Sequence, residues 1–145
     1  MILYLDTSAL VKLYVAEDYS DIVQAAAKAA DSLVSSALAY VEAHAAFARL
    51  RHEGLLSGPQ HELARQRFRE DWRDMRRVET GDSLLERAVE LTEAFALRAY
   101  DSVHLAAADY LSRATNETLV FACHNAALNK AAKVLGMSLL ERPVQ

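Results

Sequence analysis

M-I-L-Y-L-D-T-S-A-L, Met1 to Leu10, is the stretch on which the fold reading turns. Ile2 to Leu5 form a short apolar run, the pattern of a strand buried on both faces. Asp6, Thr7 and Ser8 follow, and then Leu10, Val11 and Leu13 stand at helical spacing. The pattern predicts a strand that ends in a carboxylate with a helix starting on top of it. Open α/β sheets bind ligands at such strand ends. The same three polar residues also serve a helix start, where a side-chain oxygen accepts a backbone N–H. The two roles are compatible, so the question is whether other acids reach the same place.

The chain has 145 residues, 52% apolar and 25% charged. That length predicts a single domain, 1–145, burying roughly 70% of the surface its unfolded chain exposes. One cysteine, Cys123, allows no internal disulfide and no paired metal motif. The apolar start is too short for a secretory leader, and no stretch reaches the roughly 18 apolar residues of a membrane span. The expectation is a soluble protein of a reducing, cytoplasmic compartment, with no membrane partner. Net charge is −4, but it is unevenly spread. Arg49 to Arg77 holds eight arginines against five acids, +3, and the remainder of the chain carries −7. A basic segment on an acidic body suits a phosphate backbone, or is a solvated helix face laced with Arg–Glu pairs.

Outward from the first strand, the pattern predicts helix over 20–30, strand over 32–36 and helix over 37–53, with Leu38, Val41, Ala45, Ala48 and Leu50 near one face. Gly54 closes that helix. Pro59 opens the next, to about Met75, with Leu63, Phe68 and Trp72 buried. A brief strand surrounds Val78. A helix follows from Gly81 and Asp82 through Ala96, and another begins at Asp101. T-L-V-F-A-C over 118–123 reads as a buried strand, 125–135 as helix and 137–140 as a last strand. Strands alternating with longer helices give an α/β, three-layer fold with a short, largely parallel central sheet flanked by helices.

Three carboxylates sit in apolar or tightly helical surroundings: Asp6, Glu42 in A-L-A-Y-V-E-A-H-A-A-F, and Asp101. Singly, each has a plain alternative: a helix cap for Asp6 and Asp101, a solvent-facing position for Glu42. Jointly, unpaired acids amid alanine and leucine are costly unless compensated. A hard divalent cation does this, and oxygen-only ligands point to Mg²⁺ or Mn²⁺ rather than zinc. The five histidines form no zinc spacing. His104, one turn after Asp101, reads as a packing or hydrogen-bonding residue. Four scattered glycines make no phosphate loop, and Ser8 lacks the glycine-flanked elbow of a hydrolase nucleophile.

Four ordered blocks then resemble a known family: D-T-S-A-L-V-K-L-Y at 6–14, S-S-A-L-A-Y-V-E-A at 35–43, R-A-Y-D-S-V-H-L-A-A-A at 98–108 and F-A-C-H-N-A-A-L-N-K-A-A at 121–132. They look like the successive motifs of PIN-domain ribonucleases, nearest the VapC toxins of toxin–antitoxin modules. The resemblance implies a PIN-like fold and a Mg²⁺- or Mn²⁺-dependent endoribonuclease leaving a 5′-phosphate and a 3′-hydroxyl. It also implies inhibition by a VapB-like antitoxin and a homodimer. The family's metal ligands carry over onto Asp6, Glu42 and Asp101, and its small hydroxyl residue onto Ser8. At the usual fourth acidic position stands Asn125, which keeps an oxygen but loses a charge and is also a good helix cap. Lys12 and Arg98, near the first and third motifs, are the cations expected to face RNA. The alternative is a degenerate member that binds RNA or a partner without efficient cleavage. A phospho-acceptor module of receiver or dehalogenase type also carries an acid after the first strand, but Ser8 stands where a dehalogenase wants its second acid.

Overall fold

The computed structural model describes residues 1–141, so the last four residues of the expected 1–145 domain lie outside it. The apolar runs become five strands: β1 (Ile2–Leu5), β2 (Ser32–Ser36), β3 (Arg76–Val78), β4 (Leu119–Ala122) and β5 (Ser138–Leu139). They form one sheet in the order β3-β2-β1-β4-β5, every pairing parallel. β1 lies at the centre, in register with β2 from Ile2↔Ser32 and with β4 from Ile2↔Leu119. The four residues of β1 have no exposed surface, and the one polar side-chain atom among them, the Tyr4 phenol oxygen, has a hydrogen-bond partner in His104.

Because a strand alternates faces, Ile2 and Tyr4 enter one core layer and Leu3 and Leu5 the other. The first layer is closed by α5 (Asp82–Phe95), α6 (Ala99–Ala114) and α7 (Ala126–Val134). The second is closed by α1 (Thr7–Val11), α2 (Ser20–Ala29), α3 (Ala39–His52) and α4 (Gly58–Asp74). α4 starts with a capping box between Ser57 and Gln60 and has proline in its first turn. Phe68 and Trp72 on α4 meet Tyr40 and Phe47 of α3 ring to ring, and Tyr14 joins them. Each fully buried ring of this kind contributes about 2–3 kcal/mol over an exposed one.

Several expectations are corrected. α6 begins at Ala99, so Asp101 is its third residue and not its cap; Arg98, in extended conformation, occupies that place without a side-chain bond. On α3 the buried residues are Ala39, Ala43 and Phe47, whereas Val41 is 72% exposed. Small apolar residues all round this helix give its periodicity no clear direction. Leu63 on α4 is likewise exposed. Ala96 ends α5 in the left-handed region, φ 54°, instead of continuing the helix.

The strand order reverses about β1: the chain steps from β1 outward through β2 to β3, then crosses to β4 on the other side. The C-terminal ends of β1 and β4 therefore border a crevice, the place where open parallel sheets bind ligands. Asp6 is the first residue beyond β1.

Candidate active site

Asp6 leaves β1 by donating its N–H to the Ala122 carbonyl at 3.0 Å, then turns the chain into α1. Its Oδ1 accepts from Ala9 N–H at 2.9 Å and from the Ser8 hydroxyl at 2.7 Å, so it is the cap of α1. Ser8 Oγ in turn accepts the His124 N–H at 3.0 Å, tying the first motif to the loop after β4. At 4% exposure Asp6 is a buried acid supported by neutral donors.

Glu42, in the first turn of α3, is not a free surface residue. Thr7 Oγ1 donates to its Oε1 at 2.8 Å, and His104 Nε2 lies 3.0 Å from the same oxygen. The Tyr4 phenol is 2.9 Å from His104 Nδ1, and burial first, then the charges of Asp6 and Glu42, keep that phenol un-ionised. Nε2–H donates to Glu42, whose carboxylate oxygen can only accept, and Nδ1 meets the Tyr4 phenol. Burial pushes the Glu42 carboxyl up, but the bond and charge of His104 and the Thr7 bond outweigh it, and the net shift is downward. Tyr4 from β1, Thr7 from α1, Glu42 from α3 and His104 from α6 are thus one hydrogen-bonded unit. His104 fills the hydrogen-bonding role read from the sequence.

Asp101, one turn before His104, is half-buried. Burial raises its carboxyl above the ordinary value, the charge of Asp6 raises it further, and Glu42 adds to this against the opposing charges of His104 and Arg98. The charges of Asp6 and Glu42 thus both reach Asp101. Cys123, at the end of β4, is drawn in as well: burial, the charge of Asp6 and a hydrogen bond to it push the thiol well up. The structure thus adds Tyr4, Thr7 and Cys123 to the residues foreseen. Only the alternation of β1, which puts Tyr4 on the α6 side, could have hinted at the first of these.

Asn125 is elsewhere engaged. It is the N-cap of α7, its Oδ1 accepting from Leu128 N–H at 3.0 Å. Lys12 is 4% exposed, with Nζ 3.5 Å from Glu17, and Arg98 is exposed at the entry to α6. A cleft of about 710 Å³ opens beside the acids, lined by Thr7, Ser8, Lys12, Glu42, Arg49 and Tyr100 among others.

Donor chemistry fits a hard cation: carboxylate oxygens that repel one another, with hydroxyls beside them and no paired thiolate or imidazole set. As they stand, no three His, Cys, Asp or Glu side chains among the described residues are disposed to ligate one ion directly. One Asp6 oxygen and one Glu42 oxygen already accept internal donors. Such a set suits an ion that retains much of its water, as Mg²⁺ does.

Residues 3–133 match the PIN domain family. Two curated relatives from Mycobacterium tuberculosis, Ribonuclease VapC45 (strain CDC 1551 / Oshkosh) and Ribonuclease VapC49 (strain ATCC 25618 / H37Rv), are each 36% identical over 107 residues, 74% of either chain. Among solved structures, FitAcB from Neisseria gonorrhoeae superposes with a TM-score of 0.70 at 18% identity, over 97% of both chains. A toxin–antitoxin complex from Klebsiella pneumoniae gives 0.60 at 19% identity, over 85% of this chain and 86% of that one. At those identities the solved structures speak for the fold, and the family match and the curated relatives speak for descent: the chain belongs to the PIN-domain family and is of the VapC type.

Proposed function

We propose that this chain is a divalent-metal-dependent endoribonuclease and the toxin of a toxin–antitoxin pair. The reading is supported by the charges of Asp6 and Glu42 both acting on Asp101, three acids from the end of β1, from α3 and from α6, with Glu42 lining an open cleft. The names of the curated relatives support the substrate class. Asp6, Glu42 and Asp101 would hold Mg²⁺ or Mn²⁺, in large part through water. A bound cation supplies Lewis acidity, which lowers the pKa of water and offsets charge on the phosphate.

The protein's own groups position everything else. Ser8 and Ala9 N–H fix one oxygen of Asp6, leaving the other for the site. Thr7 and His104 aim Glu42, and Tyr4 holds the His104 ring in place. Arg98 and Lys12 meet the flanking phosphates, and charge on Arg98 already acts on Asp101. Exposed Val41 and Tyr100 border the cleft with apolar surface suited to a protein partner, here an antitoxin.

Incubating the purified chain with structured RNA tests the reading. Cleavage appears with Mg²⁺ or Mn²⁺, and Asp6→Asn or Asp101→Asn lowers it at least about 100-fold while the fold persists. Undiminished cleavage in excess EDTA overturns the metal role. One observation favours a second reading, binding without efficient cleavage: the Asn125 side-chain oxygen already serves α7. Absence of cleavage by antitoxin-free protein in Mn²⁺, with RNA binding retained, would select it.

A further inference from the structure

In both Asp6 and Glu42, two internal donors end on the same carboxylate oxygen. On Glu42 they are the Thr7 hydroxyl at 2.8 Å and His104 Nε2 at 3.0 Å, both meeting Oε1. On Asp6 they are the Ser8 hydroxyl at 2.7 Å and the Ala9 N–H at 2.9 Å, both meeting Oδ1. An ionised carboxylate has about two lone-pair sites per oxygen, so these two oxygens have none to spare. Thr7 Oγ1 also lies 3.1 Å from His104 Nε2, so hydroxyl, ring nitrogen and Oε1 close a triangle. The triangle joins α1, α3 and α6, and its imidazole is buried, which leaves Oε1 little freedom to turn away.

The second oxygen of Glu42 stands differently. Oε2 receives no donor among the described residues and is not one of the buried atoms left without a partner, so it keeps accessible surface. Glu42 lines the carboxylate cleft together with Thr7 and Ser8. The cleft is therefore offered one oxygen of this acid and not a pair. That difference sorts cations by size. Mg²⁺ demands a near-ideal octahedron, takes one or two carboxylates and keeps several waters. Ca²⁺ gathers about six to eight oxygens, often by gripping both oxygens of one carboxylate. A carboxylate with one oxygen filled cannot be gripped in that way.

We propose that Thr7 sets the cation selectivity of this site: by filling Oε1 it confines Glu42 to a single metal–oxygen bond and so favours Mg²⁺ over Ca²⁺. Ser8 repeats the device at Asp6. Both are positioning residues, acting on the ion only through the acids. Thr7 is the more telling of the two, because the Asp6 bonds also start α1, whereas the Thr7 hydroxyl caps nothing. The proposal rests on the metal-dependent reading, but ion binding tests it without RNA.

Mn²⁺ is the probe, since the electron-spin resonance of the free ion reports its release from the protein as Mg²⁺ or Ca²⁺ is added. The wild-type chain releases Mn²⁺ to Mg²⁺ at a lower concentration than to Ca²⁺. Thr7→Val keeps the side chain's shape and opens one site on Oε1, and the ratio of the Ca²⁺ to the Mg²⁺ concentration falls about 10-fold. Ser8→Ala lowers the same ratio through Asp6. Thr7→Ser keeps the hydroxyl and keeps the ratio, whereas a merely structural role for Thr7 weakens both ions alike. Ca²⁺ competing as well as Mg²⁺ on the wild type, or a ratio unmoved in Thr7→Val, overturns the proposal. An unmoved ratio in a chain that cuts RNA with Mg²⁺ sinks the selectivity role and spares the nuclease. A ratio that moves as expected in a chain that cuts no RNA in Mn²⁺ sinks the nuclease and spares the selectivity role. A wild-type chain that binds no Mn²⁺ sinks both.

Discussion

At the scale of single residues, the site is built at the expense of stability. Asp101 has its folded-state pKa raised by burial and by Asp6 and Glu42, so the folded chain holds that proton more tightly than the unfolded one. Its contribution is favourable below the ordinary value of 3.8 and is lost as pH rises through the folded-state value. Melting of the metal-free chain in EDTA checks this: the Tm of Asp101→Asn minus that of wild type grows in the variant's favour from pH 3.5 to pH 7. Saturating Mg²⁺ stabilises the wild type alone and opposes the gap. Asn125 gives a second test. With an aspartate there, the usual fourth charge returns, and the Mn²⁺ concentration for half-maximal cleavage falls by about 10-fold; an unchanged titration places position 125 outside the metal's reach. The acids themselves were legible because Asp6 follows an apolar run and Glu42 and Asp101 interrupt alanine-rich helices. Their support was not, since Glu42 and His104 are 62 residues apart and Thr7 and His104 are 97 apart. Nothing in local spacing announces a hydrogen bond across such a distance.

Among the elements, strands were easier to foresee than helix faces. A strand buried on both sides is apolar except where a polar group finds a partner, as Tyr4 does in β1, whereas α3 is so rich in small apolar residues that its inward side follows only from its packing against α1 and α4. The start of α6 was hidden for a different reason. Arg98 holds the entry by backbone conformation, without the side-chain acceptor that marks Ser57 before α4 or Asn125 before α7. Ala96, read as helix, instead closes α5 in the left-handed region. An L-residue with a Cβ is strained there by about 1–2 kcal/mol, and glycine is not. Ala96→Gly therefore stabilises the chain by about 1 kcal/mol in urea denaturation, with the cost of the unfolded chain's added entropy already subtracted. A destabilised variant would mean that the Ala96 methyl has a packing role.

For the molecule as a whole, net charge hides how the charge is placed. The chain is acidic overall, yet Arg49, Arg51, Arg67, Arg69 and Arg73 of α3 and α4 are exposed and form no ion pair among the described residues. Arg49 also lines the cleft beside the acids. RNA held across this surface dissociates with salt, and Arg49→Ala and Arg67→Ala each lower the slope of log affinity against log salt by about 0.7. An unaltered slope in both variants assigns the arginine-rich face to solvent alone. No helix among the described residues is long and apolar enough to cross a membrane. Asp6, finally, is at once the acid at the sheet's reversal point and the cap that starts α1. A substitution there loosens the architecture as well as the chemistry, whereas Asp101 caps nothing. Under selection for cells that survive expression of the protein, surviving clones with intact, soluble protein will accumulate changes at codon 101 more than at codon 6.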